Sequence, residues 1–175
     1  MKKTLVLIAL LIFLLSAWPK AAGAQGAPET KPAAAISSPA PEHFDLENIP
    51  VPVQRPTAVV LKSGKGAPVV VALLDTTKSS ARIRRKYTGI IIAQGKFSVC
   101  GISLDAGGYG FGVQGPQATG TDNGRFAVYT KGGDELGECP AKRDTTQKES
   151  RPLAVSAGKG GITRLTFFGY FVELE

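Results

Sequence analysis

D-A-G-G-Y-G-F-G-V-Q-G-P, residues 105–116, is the stretch on which the reading of this chain turns. Gly110, Gly112 and Gly115 stand in the G-x-G-x-x-G spacing that cradles a dinucleotide pyrophosphate. Such a site needs a helix opening at the third glycine, so that its first N–H groups meet the phosphates. Here Gly115 is followed by Pro116 and by Q-A-T-G-T-D-N-G, a loop and a turn. No cofactor is expected. Alternation explains the glycines better: Tyr109, Phe111 and Val113 share one face of a strand, and Gly108, Gly110 and Gly112 share the other. Glycine weakens strands, so a smooth face implies that something lies close against bare backbone. An aromatic ring, the segment 77–87 or a partner molecule would each fit.

The surrounding sequence has the same character. Runs rich in β-branched and aromatic residues occur at 58–62, 69–74, 89–94, 96–100, 109–113, 125–130, 152–156, 163–168 and 170–174, separated by Gly, Asn-Gly or Pro. That pattern predicts an all-β fold: an antiparallel sandwich or partly open barrel of about 8–9 short strands. V-V-V-A-L-L and G-I-I-I-A are apolar on both faces and are expected to be central. Asp122-Asn123-Gly124 is the clearest hairpin signal. The segments 61–74 and 155–168 echo one another as strand, G-K-G turn and strand, although G-K-G is also simply a good turn.

The N-terminus reads as an export signal: Lys2 and Lys3, an uncharged apolar run from Thr4 to Trp18, and Ala22-Gly23-Ala24 as a cleavage pattern. Residues 1–24 are therefore expected to be a signal peptide, leaving no membrane span and a periplasmic or extracellular product. Its removal takes Lys2, Lys3 and Lys20 from the 21 basic residues, leaving 18 against 14 acids, or +4. That charge does not call for a nucleic-acid partner. Cys100 and Cys139 are the only cysteines, and in an exported chain they predict one disulfide. Residues 25–56 hold seven prolines and read as a flexible linker, whose last part, F-D-L-E-N-I-P-V-P-V, is apolar enough to pack on the domain edge. The β-domain is expected over 57–175.

The exception to all-β is T-T-K-S-S-A-R-I-R-R-K-Y, residues 76–87, a short helix that Thr76, Thr77 or Ser79 could cap, with Ile83 and Tyr87 on one face. Lys78, Arg82, Arg85 and Lys86 gather on another face as the main cluster of positive charge. A solvated helix face explains them, and so does docking to an anionic envelope component or an acidic protein. Catalytic chemistry finds few residues. The sole histidine, His43, falls in the linker, and G-x-S-x-G is absent. Asp122-Asn123 and Asp134-Glu135 lack the ligand spacing of a calcium loop, so no metal is expected.

I-S-L-D-A-G-G-Y-G-F, residues 102–111, resembles the L-x-A-G-x-Y stretch of small exported bacterial β-domains of uncharacterised function. The resemblance implies an exported β-domain and brings no activity with it. The expected function is a non-catalytic accessory module that contacts a protein or envelope partner through Lys78, Arg82, Arg85 and Lys86 or through Gly108, Gly110 and Gly112. The alternatives are a carrier holding a small apolar ligand inside the β-domain and, less favoured, a hydrolase.

Overall fold

The computed structural model describes residues 38–62, 67–115, 123–145, 151–157 and 163–174. The expected signal peptide, residues 25–37, Asp122 and both G-K-G turns lie outside them.

The N-terminal strands are β1 (His43–Leu46) and β2 (Ile49–Pro52), followed by a single 3-10 turn, Arg55–Thr57. Next come β3 (Val59–Lys62), β4 (Pro68–Leu73), helix α1 (Ala81–Lys86), β5 (Gly89–Ala93), β6 (Phe97–Val99) and β7 (Ile102–Leu104). The chain continues through β8 (Gly107–Gln114), β9 (Gly124–Tyr129), β10 (Glu135–Arg143), β11 (Leu153–Ala157), β12 (Thr163–Phe167) and β13 (Tyr170–Leu174). Nine strands run antiparallel in the order β11-β12-β13-β10-β9-β8-β5-β4-β3. The two ends, β3 and β11, approach within 8 Å between Cα atoms without forming a ladder. Of the two all-β forms expected, the chain adopts a nearly closed barrel. The two echoing hairpins, β3–β4 and β11–β12, occupy its opposite ends and face each other across the seam.

Inward-facing residues fill the barrel. Phe111, Phe126 and Phe167 stack with centroids 5.5 Å apart in successive pairs, surrounded by Val71, Ile91, Val128 and Leu165. A second apolar layer lies outside, on β4, β5, β8 and β9, where Val70, Ala72, Ile90, Ala127 and Tyr129 are covered by Phe44, Leu46, Val51, Ile83 and Tyr87. This is why β4 and β5 are apolar on both faces: they lie near one end of the strand order, not centrally, but beneath a second layer.

Several sequence expectations are corrected. The linker ends earlier than residue 56, because 43–52 forms a hairpin that buries Phe44, Leu46 and Val51. Its prolines do not prevent this. In a two-residue hairpin closed by Leu46 and Ile49, hydrogen-bonded pairs alternate with unbonded ones. Pro50 and Pro52 fall opposite Asp45 and His43, at unbonded pairs where no N–H is required. Asn123-Gly124 is not a two-residue turn, since Gly124 already belongs to β9 and pairs with Ala141. No apolar run marks β10 in the sequence, because its half-buried and buried positions hold Gly137, Cys139 and Ala141.

Cys100 and Cys139 form the expected disulfide, joining the β6–β7 turn to the middle of β10 with Cα atoms 6.4 Å apart. β6 is also tied to the barrel by one register pair, Leu174 with Val99, by the Cys100 N–H donating to the Glu173 carbonyl, and by Phe97 and Val99 packing into the core. The bond points to an oxidising environment outside the cytoplasm.

Two stability predictions follow from this packing. Replacing both cysteines by serine should cost roughly 3–4 kcal/mol in urea unfolding, the loop-closure entropy of a cross-link this long. In Gly112→Ala, a Cβ would collide with the Lys86 carbonyl oxygen, so about 1–3 kcal/mol or more should be lost. Gly115→Ala, with no atom of the described residues within 4 Å of the added carbon, should stay within about 0.5 kcal/mol of the parent.

Candidate functional site

Segment 75–88 crosses the outer layer between β4 and β5. Asp75 opens it as a turn, accepting from the Thr77 hydroxyl at 2.6 Å and the Thr77 N–H at 3.1 Å, and the Thr77 hydroxyl holds its carboxyl below the usual range. Ser80 is the cap, its hydroxyl accepting from the Ile83 N–H at 3.3 Å, in place of the Thr76, Thr77 or Ser79 expected. The acid-free, arginine-rich helix that follows places Arg84, Arg85 and Lys86 in its last turn, where the dipole favours cations. Ile83 and Tyr87 share the buried face as expected.

What covers the glycine face is now answered. A Cβ on Gly108 would meet the Phe44 ring at 2.8 Å and Lys131 at 3.0 Å; one on Gly110 would meet the Tyr87 ring at 2.7 Å and Leu46 at 3.0 Å. Gly112 lies under the Lys86 backbone carbonyl. The face is therefore an internal contact, and the reading of Gly108, Gly110 and Gly112 as a partner-binding surface is corrected: aromatic rings and segment 77–87 both occupy it.

The basic cluster divides in two. Glu47, at the tip of the β1–β2 turn and only 12% exposed in its side chain, receives Lys86 Nζ at 2.9 Å, Arg82 Nε at 2.9 Å and the Tyr87 hydroxyl at 3.0 Å. Lys86 also donates to the Gly133 carbonyl at 2.5 Å and lies 4.8 Å from the Tyr129 ring centroid. Lys86 thus clamps the hairpin to the barrel, while Arg82 pairs with Glu47 from a side chain that stays 74% exposed. Lys86 holds the Glu47 carboxyl below its ordinary value, with Tyr87 and Arg82 assisting and burial opposing. Burial, and then Glu47, push the Tyr87 phenol up.

Lys78, Arg84 and Arg85 remain exposed and form no salt bridge among the described residues, Lys78 lying within electrostatic reach of Asp75. Arg84 is fixed by donating to the Ser79 carbonyl at 2.5 Å. The sequence reading missed Arg84, and it missed Glu47, whose signal was the alternation of Phe44, Leu46, Val51 and Val53 on either side of Glu47-Asn48. His43 is exposed on β1, opposite Pro52. Glu135 is engaged by Arg125, which bonds both Glu135 oxygens at 2.8 Å and also pairs with Glu138. That network raises the Arg125 guanidinium pKa, Glu135 contributing most. Among the described residues, no group of three or more His, Cys, Asp or Glu could hold a metal, and no helix is long and apolar enough to cross a membrane. A hollow of about 380 Å³ beside Arg125 is lined by Asn123, Gly124, Glu138, Cys139 and Pro140.

The clamp makes a signed prediction. Because the folded state depresses the Glu47 pKa, the carboxylate stabilises the fold above its unfolded value, and that contribution disappears as pH falls through the folded one. Glu47→Gln should therefore lose about 1–3 kcal/mol at pH 7, and the gap to the parent should narrow as pH drops below about 4.5. Urea titrations of both proteins across that range measure it. No family model matches the chain, and no curated protein or solved structure matches it either.

Proposed function

We propose that the chain is an exported, non-catalytic binding module, periplasmic or extracellular, that presents the outer face of α1 to an anionic envelope component or an acidic protein surface. One observation carries this reading. Lys78, Arg84 and Arg85 remain exposed and form no salt bridge among the described residues, on a segment that Ile83 and the Glu47 clamp hold in place. Pre-fixed cations lose little conformational entropy on meeting an anion, so a small patch can be selective.

The packing favours this reading over a carrier of a small apolar ligand, because the Phe111, Phe126 and Phe167 rings occupy the barrel interior. It favours binding over hydrolysis, because Glu47, Glu135 and Glu138 are already engaged by cations of the same chain.

The test is Arg84→Glu/Arg85→Glu against Lys96→Glu/Lys142→Glu, which changes net charge equally elsewhere. Binding to an immobilised polyanion at low salt should weaken on the order of tenfold in the first protein and much less in the second. Equal weakening of both would reduce the patch to net charge and sink the reading.

A further inference from the structure

Three tight turns among the described residues place a residue other than glycine at positive φ. The first is Glu47-Asn48, at 53° and 62°; the second is Cys100-Gly101, at 40° and 79°; the third is Phe168-Gly169, at 48° and 82°. The third is unlike the others. A bulky aromatic residue in the left-handed region is unfavourable, and Asn or Gly serves such a turn better. Phe168 is also 55% exposed, the most exposed of the large hydrophobic residues described. One side chain therefore carries two penalties, backbone conformation and apolar exposure.

Its neighbours supply a chemistry. The Phe168 N–H donates to the Pro152 carbonyl at 3.3 Å and the Asp144 N–H donates to the Gly169 carbonyl at 2.8 Å, bringing a segment of chain to each side of the turn. Those segments carry Arg143 and Arg151, both exposed and without a carboxylate partner among the described residues. Asp144, the acid beside them, is half-buried and already engaged.

We propose that the Phe168-Gly169 turn is a contact tip for an anionic lipid bilayer: Phe168 enters the headgroup region while Arg143 and Arg151 sit on lipid phosphates. An aromatic ring flanked by cations suits the membrane–water interface. A bilayer accepts an apolar tip directly, without a socket shaped to it, and the two cations complement its anionic headgroups. The contact is weak and reversible, since one ring and two cations fall short of stable anchoring. It shares only the premise of export with the α1 reading and uses different residues.

The test needs a local probe, because the apolar Thr4–Trp18 run can bind lipid by itself. In a Trp18→Phe background, Phe168→Trp introduces the only tryptophan, whether or not the N-terminal segment has been removed. Its emission should move to shorter wavelength with phosphatidylglycerol vesicles and not with phosphatidylcholine vesicles. Adding Arg143→Glu/Arg151→Glu should weaken that response on the order of tenfold or more. Phe168→Asn in the parent chain guards against misfolding: Asn suits the turn, so its melting temperature should equal or exceed that of the parent. Vesicles should then slow hydrogen exchange at 167–170 in the parent and not in Phe168→Asn. An emission spectrum blind to anionic vesicles overturns the proposal. So does a response that survives reversal of both arginines, or equal vesicle protection of the parent and Phe168→Asn.

Discussion

The contact on which the rest depends is the approach of segment 86–87 to the bare backbone of β8. A carbonyl oxygen can rest on Gly112, and a tyrosine ring on Gly110, only where no Cβ intervenes. That approach seats Tyr87 flat against the barrel, and Tyr87 in turn meets Tyr129 edge-on at 5.4 Å. The hairpin then closes over both, with Phe44 on Gly108 and Leu46 beside Gly110. The glycines thus exchange local strand stability for a second apolar layer. Without that layer β4 and β5 would expose Val70, Ala72 and Ile90 to water.

Charge in this molecule is divided by burial. Where the hairpin tip meets the barrel, Glu47 is largely removed from water, and such a carboxylate requires partners. Arg82, Lys86 and Tyr87 supply them, which is why adjacent residues of one basic helix have different fates. Residues one helical turn apart, 82 and 86, face the hairpin, while 84 and 85 point away. Sequence alone sees four or five cations in a row. Only the position of one glutamate, some forty residues upstream, shows which of them are paired within the chain.

The same reasoning shows what the sequence made legible. Period-two alternation located β8, and runs rich in β-branched and aromatic residues located β9, β12 and β13. Compartment and cysteine number were enough to pair Cys100 with Cys139. The smooth glycine face was visible as a need for cover, though not what met it. β10 was hidden because its partners lie on both sides in space and its inward side chains are small, so no hydrophobic run marks it. The N-terminal hairpin was hidden by its prolines: composition reports that backbone donors are missing, but not that the missing ones fall at unbonded pairs. Register decides that, and register is a property of two strands.

The three left-handed turns carry the comparison further. At Glu47 the strained position aims a carboxylate into the Arg82 and Lys86 clamp, so the conformation has a return inside the fold. At Cys100 it presents a thiol to β10, and the disulfide fixes a hairpin that one register pair would hold poorly. In both, the side chain that makes the turn unfavourable is the one that makes the long-range bond. Among the described residues, Phe168 has the same backbone conformation and makes no such bond, its exposed side chain standing on a turn flanked by the segments of Arg143 and Arg151, which form no salt bridge among those residues. Strain persists where something outweighs it. For the first two turns the compensation lies within the chain; for the third none is seen among the described residues, and the proposed anionic interface would supply it, since an aromatic ring near cations is what such an interface retains.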